Sequence, residues 1–91
     1  MEFEWDDKKA ATNFQKHGIT FLKASRVFHD LNRLELEETR FQEIRYKGIG
    51  MVDGRVLFIV YTHREHRIRL ISARKANEKE CTLYHKSTAT S

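Results

Sequence analysis

The stretch VLFIVYTHREHRIRLISAR, residues 56–74, restricts the possible folds of this chain more than any other part of it. Residues 56–61 are apolar without a break and rich in β-branched and aromatic types, while residues 67–74 alternate charge with Ile68, Leu70 and Ile71. Two strands joined by a short polar turn fit that pattern. A strand that is apolar at every position needs cover on both faces, which puts the first of the two in the middle of a sheet. On the second strand Arg67 and Arg69 point the same way, and His63 or Arg64 across the turn lies near them. Cations should therefore gather at one end of a hydrophobic sheet.

The segments around this pair supply the rest of an α+β fold. Phe3 and Trp5 alternate with Glu2 and Glu4 in a short terminal strand. Asp6 has the place of a helix N-cap, with Trp5 and Ala10 at the positions of a hydrophobic staple, and Gly18 is a natural stop. Thr20 caps a second helix in which Phe21, Ala24, Val27, Phe28 and Leu31 recur at helical spacing. Period two then returns with Leu34 and Leu36, and residues 43–52 form a further strand, where Gly48 and Gly50 mark a bulge or a close backbone approach. Asp53-Gly54 predicts a tight hairpin into the apolar strand. Asn77 and Glu80 have capping-box spacing at the start of a last helix that turns Cys81 and Tyr84 inward, and residues 86–91 read as a disordered tail. The expected order is β-α-α-β-β-β-β-α in one domain spanning residues 1–91: a twisted, largely antiparallel sheet with an N-terminal helical hairpin and a C-terminal helix, all packed on one face.

Charge sharpens the functional reading. The net charge is +4, but residues 1–39 carry six Lys/Arg against eight Asp/Glu and residues 40–91 carry eleven against five. The sheet half is thus the cationic half, and such a surface favours polyanions, nucleic acid first. Arg45 and Lys47, Arg55, Arg64, Arg67, Arg69 and Arg74 make up the cluster, and arginine's planar fork suits a phosphodiester. Glu43 shares a strand face with Arg45, either as a catalytic carboxylate or as an ion-pair partner. His63 and His66 bracket the turn, where histidine can move protons near neutral pH. Tyr46 and Tyr61 are candidates to stack on bases, or else belong to the core. The single Cys81 excludes an internal disulfide, and no phosphate loop, nucleophile elbow or metal motif is present, so we expect no cofactor and no metal. No run is apolar enough for a membrane span and no secretory leader is evident, so a cytoplasmic protein is expected.

Several strings, FEWDDKKAATNFQKHGITFLKA, the Glu43-x-Arg45 step followed by Gly48 and Gly50, VYTHRE, RIRLISARKA, and Glu80 with Tyr84, make the chain similar to the BrnT family of bacterial ribonuclease toxins. The resemblance implies a RelE-like fold, metal-independent endoribonuclease activity, and neutralisation by a BrnA-like antitoxin with a ribbon-helix-helix region. Two toxins and two antitoxins would assemble, and DNA would be reached only through the antitoxin. The implied reaction is attack of a 2′-hydroxyl on its own phosphate. For it we expect Glu43, Arg45, His63, Arg64, Arg69 and Arg74 as catalytic residues and Lys47, Arg55, Tyr61 and Arg67 as RNA contacts. The alternatives are a non-catalytic basic RNA-binding module and an interaction protein that offers a sheet edge to a partner.

Overall fold

The computed structural model describes residues 1–40 and 42–89, the side chain of Arg40 excepted. Its elements are β1 (Glu2–Glu4), α1 (Asp7–His17), α2 (Phe21–Ala24) continued by a 3₁₀ turn (Ser25–His29), β2 (Leu34–Arg40), β3 (Glu43–Val52), β4 (Arg55–Arg64), β5 (Arg67–Lys75) and α3 (Glu78–Ala89). The strands form one sheet in the order β1-β5-β4-β3-β2, so the all-apolar β4 is the central strand. Asp53 and Gly54 both have positive φ, as a type I′ turn requires, and the hairpin pairs Val52 with Arg55 through Tyr46 with Tyr61. The sheet is mixed, because β1 runs parallel to β5.

Local signals set the helix ends. Asp6 accepts hydrogen bonds from the amides of Lys8 and Lys9, and Gly18 closes α1 in the left-handed region at φ 69°. Thr20 caps α2 through the Lys23 amide. The second helix is shorter than its periodicity predicts: the chain tightens into the 3₁₀ turn, and Leu31 is left 93% exposed. At α3 the reciprocal bonds between Asn77 and Glu80 form the expected capping box. This helix runs through Ala89, so residues 86–89 are helical where a disordered tail is expected; Thr90 and Ser91 lie outside the described residues.

Two cores sandwich the sheet, and this corrects the expectation of helices on one face. Leu57, Ile59 and Tyr61 of β4 pack with Ile68 and Leu70 against Phe21, Ala24, Val27 and Phe28. Val56 and Phe58, which alternate with them, pack with Ile49, Ala76 and Tyr84 beneath α3. That is why β4 has no polar phase.

Gly50 is a close-approach glycine rather than a bulge. A Cβ there would stand 2.7 Å from Cγ1 of the fully buried Val27 and 3.2 Å from Cβ of Arg33. Gly50→Ala should therefore cost about 1–3 kcal/mol by overpacking, read as a lower urea midpoint. An unchanged midpoint would show that the 3₁₀ turn yields freely. The bulge sits instead in β5, where Val60 pairs with Ser72 and Tyr61 with Leu70, leaving Ile71 over.

Because β1 pairs only with residues 67–69, the later part of β5 meets α1 instead of a strand. Asn13, 7% exposed, bridges the gap: its Oδ1 accepts from the Ala73 amide and its Nδ2 donates to the carbonyls of Ala73 and Ile19. Three main-chain groups are thereby satisfied by one side chain.

Candidate functional site

Side chains of β3 alternate between the two faces. Tyr46 and Val52 turn toward the helical hairpin, while Glu43, Arg45, Lys47 and Ile49 turn toward the face on which α3 packs. The second core beneath α3 draws on Ile49, Met51, Val56 and Phe58, all near the Asp53-Gly54 turn. Further along, the same face opens into a cleft lined by Glu38, Arg45, Lys47, Val60, Ile71 and Ser72. Glu38 arrives there because β2 pairs it with Arg45, and Ile71 and Ser72 arrive through the bulge. Sequence reasoning missed these three, since neither cross-strand register nor a bulge without glycine leaves a local signal.

The cations of this face stand beside carboxylates. Lys47 Nζ is 2.6 Å from Glu38, Arg45 Nη2 3.7 Å from Glu43, Arg69 Nη1 2.6 Å from Glu4 and Arg67 Nε 3.3 Å from Glu2. The parallel pairing of β1 with β5 sets Glu2 and Glu4 directly beside Arg67 and Arg69. Arg45 differs in one respect. Its Nε is buried and has no hydrogen-bond partner among the described residues.

The other expected site residues are dispersed. His63 and Arg64 line a second cleft at the far ends of β3 and β4, together with Gln42, Glu43 and Tyr46. His63 stands edge-on to Tyr46 at 5.0 Å and to Tyr61 at 5.9 Å, on the hairpin side of the sheet, so it does not join Arg45 and Arg69. Glu43 is common to this cleft and to the Arg45 ion pair. Tyr61, expected as an RNA contact, is a core residue only 1% exposed, stacked on Tyr46 at 5.4 Å with its edge toward Phe28 at 4.9 Å. Burial, reinforced by Glu35, pushes its phenol well above the usual range, and the same burial denies its ring to a base. Arg55 lies beside the Asp53-Gly54 turn, about 30 Å from Arg64 at roughly 3.3 Å per strand residue, and lines neither cleft.

Arg74 anchors α3 to the sheet. Its guanidinium makes two 2.8 Å bonds to the two oxygens of Glu80 and lies 4.1 Å over the Phe58 ring. The hydrogen bond to Glu80 raises the arginine's pKa, and the same bond holds Glu80 below the usual carboxylate range. Asp30 is also held low. Burial works against its charge, but hydrogen bonds from the Tyr84 phenol and the Met51 amide outweigh it, and Tyr84 is pushed up to about 12 by burial and by that bond. Carboxylates whose folded pKa is depressed contribute stability above their unfolded pKa and lose it as pH falls through the folded value. The ordinary values are 3.8 for an aspartate and 4.5 for a glutamate, so the thermal midpoint should be flat near neutrality and fall below about pH 4. Thermal melts at stepped pH check this, and a midpoint unchanged down to pH 3 would contradict it.

Residues 5–80 match the family model described as ribonuclease toxin, BrnT, of type II toxin-antitoxin system. The chain belongs to this family. As a BrnT toxin it has ribonuclease activity and an antitoxin partner, as that description implies. Both clefts lie wholly within the matched span. A comparison with curated proteins finds no match. Among the described residues of this BrnT toxin, no three His, Cys, Asp or Glu side chains are grouped to hold a metal ion, and no helix is long and apolar enough to cross a membrane.

Proposed function

We propose that this BrnT toxin is a metal-independent endoribonuclease whose reaction centre is the sheet cleft around Arg45. The convergence of Arg45 and Lys47 in one sheet cleft, with Glu43 beside Arg45, carries the reading. A phosphate entering the cleft would meet the guanidinium of Arg45, and Lys47 adds a second positive charge. The 2′-hydroxyl loses its proton to a base and its oxygen bonds to the adjacent phosphorus. The bond from phosphorus to the 5′-oxygen then breaks, and that oxygen takes a proton from an acid, leaving a 2′,3′-cyclic phosphate and a free 5′-hydroxyl. Arg45 stabilises the negative charge that builds up on the phosphorane. We assign the base to Glu43, beside Arg45, whereas His63 shares the end cleft with Glu43 but turns to the opposite face from Arg45 and is not assigned as the acid of this centre. Arg64 flanks that cleft, whereas Arg69 and Arg74, bound to Glu4 and Glu80, contribute charge from the rim.

In this reading the protein is cytoplasmic and adopts a RelE-like fold. Its antitoxin is BrnA-like with a ribbon-helix-helix region, and two copies of each chain assemble, the antitoxin alone touching DNA. Incubating the purified toxin with single-stranded RNA in EDTA tests the activity. Cyclic-phosphate products support the nuclease, a mobility shift without products makes this a basic RNA-binding module, and neither outcome leaves an interaction protein.

A further inference from the structure

The sheet cleft does not end at the edge of β5. Ile71 and Ser72 of the bulge also line a cleft on the other side, whose wall is α1 with Lys8, Lys9, Lys16 and His17. Lys9 and Lys16, seven residues and about two turns apart, share one side of the helix over about 10 Å at 1.5 Å per residue, and Lys8 and His17 flank them. The two clefts, halves of a groove that meet at Ile71 and Ser72, differ electrostatically. On the sheet the cations stand beside Glu38, Glu43, Glu4 and Glu2. No carboxylate lines the α1 half, and none of its four basic side chains takes part in an ion pair among the described residues. The nearby Asp6 carboxylate is occupied in capping the amides of Lys8 and Lys9. Asn13, which also lines this half, is committed to Ala73 and Ile19, so the positive charge of this half comes from its lysines.

We propose that the α1 half of the groove is a binding track for the phosphates of single-stranded RNA that flank the scissile position held at Arg45. It rests on the nuclease reading only for which phosphate sits at Arg45. Unpaired ammonium groups bind a polyanion by releasing its counterions, which paired cations do less well. A strip that meets the sheet cleft across two shared residues suits one continuous strand better than a separate ligand.

The test is fluorescence anisotropy with a labelled, uncleavable 2′-deoxy oligonucleotide and with the matching RNA in EDTA, at several salt concentrations. Replacing Lys8, Lys9 and Lys16 together by alanine should weaken binding roughly a hundredfold at 0.1 M salt and reduce the salt slope by about 2, at about 0.7 per phosphate contact. Circular dichroism should be unchanged, and Lys79→Ala on α3 should bind like the parent. A triple variant with the parent's affinity and slope overturns the proposal and leaves the strip to an acidic protein partner. Failure of the nuclease reading looks different. It shows as absence of cleaved RNA from the parent protein, whereas the lysine-dependent slope is read on the uncleavable strand.

Discussion

Replacing Arg45 by alanine is expected to slow RNA cleavage by a factor on the order of 10²–10³, the usual loss when a donor to transition-state charge is removed. The fold should survive. Arg45 is partly exposed and its pairing with Glu43 is loose at 3.7 Å, so little stability depends on it. Growth inhibition on expression should fall in parallel at equal protein level. The two neighbouring arginines make an informative contrast. Arg74→Ala breaks a bidentate pair, uncovers Phe58 and disturbs the capping residue Glu80, so its loss of activity should come with a lower melting temperature. Arg69→Ala leaves Glu4 without its 2.6 Å partner beside β1 and should fall between the two. Lys86→Ala, on α3 away from both clefts, should do nothing. If Arg45→Ala cleaves RNA at the parent rate, the reaction centre is elsewhere, and the end cleft with His63 and Arg64 becomes the next place to look.

The largest stability loss is expected at Asp30. One carboxylate oxygen accepts from the Tyr84 phenol at 2.5 Å and the Met51 amide at 2.8 Å, and the other from the Asn32 amide at 2.9 Å. The 3₁₀ turn, β3 and α3 therefore meet at a single side chain. Asp30→Ala strands the phenol and the Met51 amide near the core, and a buried donor left without an acceptor costs about 1–3 kcal/mol. Two such donors put the loss at about 2–6 kcal/mol, a large part of what a domain of this size has to spare. Urea unfolding measures it. Tyr84→Phe, which removes donor and leaves the ring, should cost about 1 kcal/mol. If the aspartate variant costs no more than the tyrosine variant, Asp30 is not a junction.

Much of the architecture was legible because its signals are local. Asp53-Gly54, the Asp6 and Gly18 caps and the Asn77–Glu80 box each involve groups within a few residues, where the backbone geometry leaves few choices. The shared face of Glu43 and Arg45 followed from period two alone. What failed was long-range. A strand apolar at every position calls for cover on both faces, but having no polar phase it does not say which face Tyr61 takes or which helix covers which side. The carboxylates beside Arg67, Arg69 and Lys47 depend on registers between segments far apart in sequence, which composition does not encode. The bulge at Ile71, which shapes both halves of the groove, has no glycine to announce it.

The amide of Asn13 does for β5 what a neighbouring strand would otherwise do, and it does so without offering an edge of its own. On that flank only the three residues of β1 remain as an outer strand, while β2 borders the opposite side along its seven residues. A sheet with a long border on one side and a three-residue border on the other adds strands unequally, and a second copy would pair best β2 to β2. Fibre growth by strand addition requires two receptive borders, and α1 with its buried asparagine shortens the second to β1.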